Sequence, residues 1–167
     1  ISEANDFIGW GDSASISSTS GNQLRLWGQD NWGEDLIFNS FDGAGYYWDK
    51  TLGLTSRSID LADQVGASGA PTSIRQLMVS GSDRHAIAFG CTPLGESFQD
   101  LLQIRWSNQE EPFNWTPTAI NTSGDQRLST GSEIIRAIKT RAEILIWTDS
   151  SLHSMRFVGP PLVFGFS

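Results

Sequence analysis

The sequence predicts an all-β chain: a single β domain over residues 1–167, made of about three propeller-like blades of antiparallel strands in an incomplete ring. Three observations predict it. Short apolar or alternating runs recur along the chain, separated by clusters of Gly, Asn, Asp, Ser and Pro, which is how strands and their turns read. The runs fall into triplets with a period of roughly 50 to 60 residues, the spacing of a small sheet repeated as a unit. Aromatic residues close several of the runs, and seven Trp, two Tyr and nine Phe supply the large apolar surfaces with which neighbouring sheets cover one another.

Taken in order, the first triplet is Leu24-Arg25-Leu26-Trp27, Asp35-Leu36-Ile37-Phe38 and Gly45-Tyr46-Tyr47-Trp48. The second occupies 74–79, 85–89 and 101–106, and the third 133–138, 143–147 and 152–158. The third members reach an aromatic at Trp48, Trp106 and Phe157. A fourth strand is expected at 57–61, 115–120 and 162–166, giving blade-like repeats at 10–61, 66–122 and 124–167. Residues 13–21 and 66–71 read as turns. One segment has a competing assignment. Thr130 followed by Glu133 matches a capping box, and Ile134, Ile135, Ala137 and Ile138 would suit a helix over 131–142. The density of β-branched residues and the matching place in the repeat assign it to a strand.

Composition narrows the function classes. Eleven Lys and Arg against 19 Asp and Glu give a formal charge of −8, which argues against a broad nucleic-acid or anionic-membrane footprint. The two lysines are Lys50 and Lys139 and the nine arginines are scattered. An acidic wall still tolerates passive contact with DNA sliding through a channel. No run of 18 apolar residues predicts a membrane span. Residues 1–8 show neither a basic start nor a long apolar run, so no signal peptide is read there. The final run, residues 159–167, is apolar and strand-like, and is expected to be either docked in a sheet or cut from a longer polypeptide.

Site chemistry is sparse, and no catalytic, cofactor-binding or metal-ligating residue is assigned. His85 and His153 lie far apart and lack ligand spacing, so each is expected at a strand end, hydrogen-bonded or solvated. Asp42-Gly43 and Ser123-Gly124-Asp125 lack the alternating oxygens of a calcium loop. There is no phosphate-cradling Gly-rich loop and no Gly-x-Ser-x-Gly elbow. Cys91, the single cysteine, has no disulfide partner in the chain and reads as a small buried hydrophobe. Glu34-Asp35 and Glu110-Glu111 invite comparison with glycosidase carboxylates. Neighbours on a strand point to opposite faces, however, and both pairs sit beside turns, so they read as solvated.

Trp106-Ser107-Asn108-Gln109-Glu110-Glu111-Pro112-Phe113-Asn114-Trp115 is more informative. A strand ends on an aromatic, a polar turn follows and a second Trp opens the next strand. The turn is similar to the Asp-box of sialidase-type propellers, with the Gly missing and Glu or Asn in place of Asp. That device belongs to the fold, away from any reaction centre. Trp27, Trp48, Trp106 and Trp147 are expected to pack between blades, whereas Trp10 and Trp32, in Gly-rich surroundings, are expected to be partly exposed. Exposed Trp would also suit sugar stacking. Three blades are too few to close a ring. Either the polypeptide continues, or copies associate, or the strands form a sandwich instead.

Several stretches resemble the blade motifs of tail tubular or nozzle-type virion proteins of short-tailed bacteriophages. They are Leu36-Ile37-Phe38-Asn39 leading to Tyr46-Tyr47-Trp48-Asp49, and Ile104-Arg105-Trp106-Ser107 followed by Asn114-Trp115-Thr116-Pro117. The third runs from Gly131 through Glu143-Ile144-Leu145-Ile146-Trp147-Thr148-Asp149 to Pro160. The resemblance spans 24–166, and this chain is far shorter than such a protein. It implies a structural part of the virion tail, without catalysis or cofactors. The implied partners are other virion proteins or copies of the chain itself, with no small-molecule substrate and no membrane. The alternative from another class is a carbohydrate-binding or glycoside-cleaving propeller.

Overall fold

The structure is a computed structural model that describes residues 26–81 and 83–167. Expectations placed on residues 1–25, including the Leu24-Arg25 start of the first run, the turn over 13–21 and the exposure of Trp10, lie outside the described residues. Twelve strands build three antiparallel sheets of four. The first contains β1 (Trp27–Trp32), β2 (Asp35–Ser40), β3 (Gly45–Trp48) and β4 (Ile59–Asp60). The second contains β5 (Ile74–Val79), β6 (Ala86–Cys91), β7 (Gln103–Trp106) and β8 (Gly124–Arg127). The third contains β9 (Ile134–Lys139), β10 (Ile144–Thr148), β11 (Leu152–Gly159) and β12 (Val163–Phe166). Within each sheet the strands lie side by side in chain order, each antiparallel to the next. This is the meander of a propeller blade.

Two apolar cores lie between the sheets. Ile37 of the first sheet packs with Leu77, Val79, Ala86 and Ala88 of the second, alongside Leu61 and Trp115. The opposite face of the second sheet carries Met78, Ile87, Phe89 and Ile104, which pack with Ala137, Ile144, Ile146 and Met155 of the third. The second sheet is therefore covered on both sides, and all six residues of β6 are buried. Each fully buried Ile or Phe contributes about 1.5–3 kcal/mol relative to exposure, so the sheets are held mainly by these two layers. Gly45 permits the first layer to close: a Cβ there would lie 2.8 Å from Leu61 Cδ1 and 2.9 Å from Ile74 Cδ1.

The segment 134–139 is a strand, as the β-branched residues predict, and its neighbour β10 alternates strictly between buried and half-buried positions. Two expected strands are displaced. Among the described residues β1 runs from Trp27 through Gly28-Gln29-Asp30-Asn31 to Trp32, past the expected end of the first run at Trp27. These polar residues are not assigned to a strand from the sequence, yet Asp30 is needed on β1 to accept a hydrogen bond from Val79 N at 2.9 Å. The fourth strand of the second sheet is β8, not 115–120, so that unit extends past residue 122. Trp115 is instead fully buried, with Nε1 donating to the Pro112 carbonyl at 2.8 Å. Asn121 and Ser123 donate to the Thr116 carbonyl at 2.8 and 2.9 Å, closing 116–123 into a loop.

Candidate functional site

The features that recur in this molecule are the faces by which one sheet meets the next. At the first seam, Asn39 at the end of β2 is completely buried. Its Oδ1 accepts from Leu77 N at 3.0 Å, and its Nδ2 donates to the Ile74 carbonyl at 2.9 Å. At the second seam, Gln76 of β5 does the same to β9. Oε1 accepts from Ala137 N and Nε2 donates to the Ala137 carbonyl, both at 2.8 Å. In each case a side-chain amide satisfies backbone groups on the innermost strand of the following sheet, groups that would otherwise lose solvent without a partner.

Charged side chains tie all three sheets together. Arg75 Nε lies 3.1 Å from Asp42 Oδ1 on the first-sheet side, and its Nη1 lies 2.6 Å from Glu133 Oε2 on the third. Burial works against the Arg75 cation, but the bonds to Asp42 and Glu133 prevail and hold its pKa above the ordinary value. Lys139 on β9 bonds Asp30 Oδ2 at 2.9 Å and the Val79 carbonyl at 3.0 Å, spanning the second sheet to reach the first.

The outward face of the third sheet repeats the inward pattern of the second. Ile138 opposes Leu145 as Met78 opposes Ile87, and Trp147 opposes Leu152 as Phe89 opposes Ile104. Arg136 stands where Gln76 stands, opposite Trp147 rather than Phe89. The environments differ sharply. Ile87, Phe89 and Ile104 are 0% exposed beneath the third sheet, whereas Ile138 is 50% and Leu152 55% exposed. The first sheet also has an outward face, on the side away from Ile37. Phe38 stacks on Tyr46 at 5.4 Å, and Trp27, 55% exposed, leans on Phe38 at 6.0 Å. Leu36 and Trp48, cross-strand neighbours, lie on the same side, half-buried.

Titratable groups fall elsewhere. His85 is fully buried, with Nδ1 3.0 Å from Asp83 Oδ2 and Nε2 3.1 Å from Thr122 Oγ1. Burial disfavours the Asp83 carboxylate, but hydrogen bonds from His85 and Ser80 keep its pKa below the ordinary value. The order carboxylate, imidazole, hydroxyl is that of a nucleophile triad, yet Thr122 Oγ1 is also committed to Asn108 Oδ1 and to Gln109 N, both at 2.9 Å. This constellation ties the β5–β6 turn to the loop after β7. Nothing in the sequence spacing announced it, because Thr122 lies 37 residues from His85.

The same loop is the Asp-box-like turn. Asn108 takes the organising position, accepting from Thr122 N at 2.8 Å and donating to Glu111 at 2.9 Å. The carboxylate pairs do not converge. Glu111 is held below the usual carboxylate range by hydrogen bonds from Asn108 and Asn114, while Glu110 pairs with Arg84 at 3.0 Å. Glu34 pairs with Lys50 at 2.8 Å, and Asp35 accepts from Lys50 N and the Tyr47 hydroxyl. Asp42 serves Arg75, and Asp125 accepts from Gln103 at 2.8 Å.

His153 lies on β11 with Nε2 2.8 Å from Thr130 Oγ1 and 3.0 Å from Ser151 Oγ. Cys91 is buried, and burial pushes its thiol up to about 12. Trp32, expected to be partly exposed, is 6% exposed beneath the Arg84 guanidinium. Among the described residues, no three His, Cys, Asp or Glu side chains group as metal ligands would, and no helix is long and apolar enough to cross a membrane. A cleft of about 230 Å³ opens between the β5–β6 and β9–β10 turns, with Lys139, Glu143 and Arg156 at its rim and Met155 and Phe164 at its base.

Comparison with known proteins found no matching family model, no similar curated protein and no similar solved structure.

Proposed function

We propose that this chain is a structural component of a phage virion, which builds part of a tail or tail-hub ring by assembly and carries out no catalysis. The observation that carries the reading is the outward face of the third sheet. It presents Ile138, Leu145, Trp147 and Leu152 in the register that the second sheet uses to bury its core. Exposed apolar side chains clustered in this way support a contact role for the face. Rigidity is the property that a tail wall needs, and the two cores with their amide and ion-pair seams supply it. The aromatic-and-turn blade motifs and the acidic balance of −8, which lets a phosphate backbone pass without adhering, agree with a place around a channel.

Antibodies raised against the chain should decorate one end of purified phage particles released by cells that carry its gene. Labelling confined to the soluble lysate overturns this reading. A glycan array and a reducing-sugar assay should both remain silent. Signal in either favours the carbohydrate alternative.

A further inference from the structure

We infer that the outward face of the third sheet receives the outward face of the first sheet of a second copy of this chain, head to tail, so that two copies close a six-bladed ring. The inference rests on the assembly reading above and names the partner. Within one chain every seam joins the leading face of one sheet to the trailing face of the next. The described sheets therefore leave one face of each kind outward: Ile138, Trp147 and Leu152 on the third, and Trp27, Phe38 and Tyr46 on the first. A second copy supplies both complements at once.

Charge agrees with this pairing. The third-sheet face carries Arg136 opposite Trp147, and Arg156 on the strand beyond, which already lies 3.6 Å from Glu143, so Arg136 is the cation offered to a partner. The first-sheet face carries a carboxylate, Asp60 opposite Tyr46. The two existing seams are likewise bridged by opposite charges, through Arg75 to Asp42 and to Glu133.

Size agrees as well. Four strands about 4.8 Å apart and about five residues long present roughly 300 Å² per face. Two such seams bury about 1,200 Å² in all, the lower end of the range for stable complexes. Six blades lie within the usual four to eight. Closure by two copies requires each to span about 180°, that is, about 60° between successive sheets.

The test is sedimentation of the full chain with two single variants, Trp147→Glu on the third-sheet face and Phe38→Glu on the first. The unaltered chain should sediment at twice its 18.3 kDa. Each variant alone should lose association by about 30-fold or more, as expected when a central aromatic anchor is replaced by a charge. Mixing the two variants should restore a dimer, because one seam then pairs an intact third-sheet face with an intact first-sheet face. Far-ultraviolet circular dichroism of each variant should match the parent, since both positions lie on outward faces.

A parent chain that stays monomeric at hundreds of micromolar overturns the inference, as does a dimer that both variants leave intact. A dimer that mixing fails to restore also overturns it, since that result marks a symmetric contact. Virion labelling without self-association leaves the structural role standing and assigns these faces to other proteins.

Discussion

The side-chain amide of Gln76 pairs with the backbone of Ala137 as an adjacent strand would, accepting from its N–H and donating to its carbonyl, both at 2.8 Å. Asn39 makes the equivalent bonds to β5 with Leu77 N and the Ile74 carbonyl. Gln76→Leu keeps the side-chain bulk but leaves both Ala137 groups without a partner as β9 is packed against the second sheet. The expected loss is about 1–3 kcal/mol, read as a lower urea midpoint with an unchanged m-value. A variant within 0.3 kcal/mol of the parent would show that the seam is held by apolar contact alone.

Arg105 is a second polar anchor, 2% exposed. Its guanidinium donates to the Gly69, Thr92 and Trp115 carbonyls at 2.6, 3.2 and 3.1 Å. Burial lowers its pKa, so the cation is retained for the geometry of its donors. Arg105→Lys keeps the charge but replaces the planar fork with a compact ammonium group that cannot reach three separate carbonyls. It should cost about 2–4 kcal/mol, in the range of an uncompensated buried polar network. Chemical denaturation measures this directly. A loss below 1 kcal/mol would mean that the three loops hold themselves.

Trp106 depends on the absence of a side chain at Gly124. A Cβ at that position would lie 2.6 Å from Trp106 Cζ2, displacing the ring from its hydrogen bond to the Thr122 carbonyl at 2.8 Å. Gly124→Ala should destabilise the fold by about 1–3 kcal/mol through overpacking, and near-ultraviolet circular dichroism should report the moved indole. An unchanged spectrum and midpoint would contradict the packing described.

Two buried groups contribute to the pH dependence in opposite senses. The Asp83 pKa is lowered in the fold, so its contribution is present above the unfolded value near 4 and lost as pH falls through the folded one. Asp83→Asn should flatten the acid limb of the stability curve below about pH 4. Cys91 behaves in the opposite sense. Its thiol is raised to about 12, so the fold favours the neutral form. Stability should decline as pH rises above the unfolded thiol value of about 8.5, and Cys91→Ala should remove that alkaline slope. Native Cys91 should also resist a thiol reagent at pH 8 that labels it rapidly in denaturant. Rapid native labelling would contradict its burial.

Most strands could be read from the chain because their residues are β-branched or aromatic and bounded by turn formers, as at 74–79, 144–148 and 163–166. The exceptions have a common cause. β1 and β8 carry polar residues whose place in a sheet is fixed by partners distant in sequence. Asp30 serves Val79 and Lys139, and Asp125 serves Gln103. Residues 115–120 misled because Trp115 is buried among loops rather than in a ladder. The aromatic alternation of β2, β3 and β10 was legible, although Trp27, Trp48 and Trp147, expected to pack between blades, lie on the outward faces of the first and third sheets instead. The seams were not, since Asn39 and Gln76 are ordinary polar residues whose role appears only when a second sheet arrives.

The most direct measurement of the account is fluorine NMR of the chain carrying 5-fluorotryptophan, followed as concentration rises. The account predicts that the Trp27 and Trp147 resonances shift together and lose their solvent isotope effect, while Trp106 and Trp115, already buried, stay fixed. Trp27 and Trp147 signals that remain solvent-exposed at millimolar concentration would contradict it.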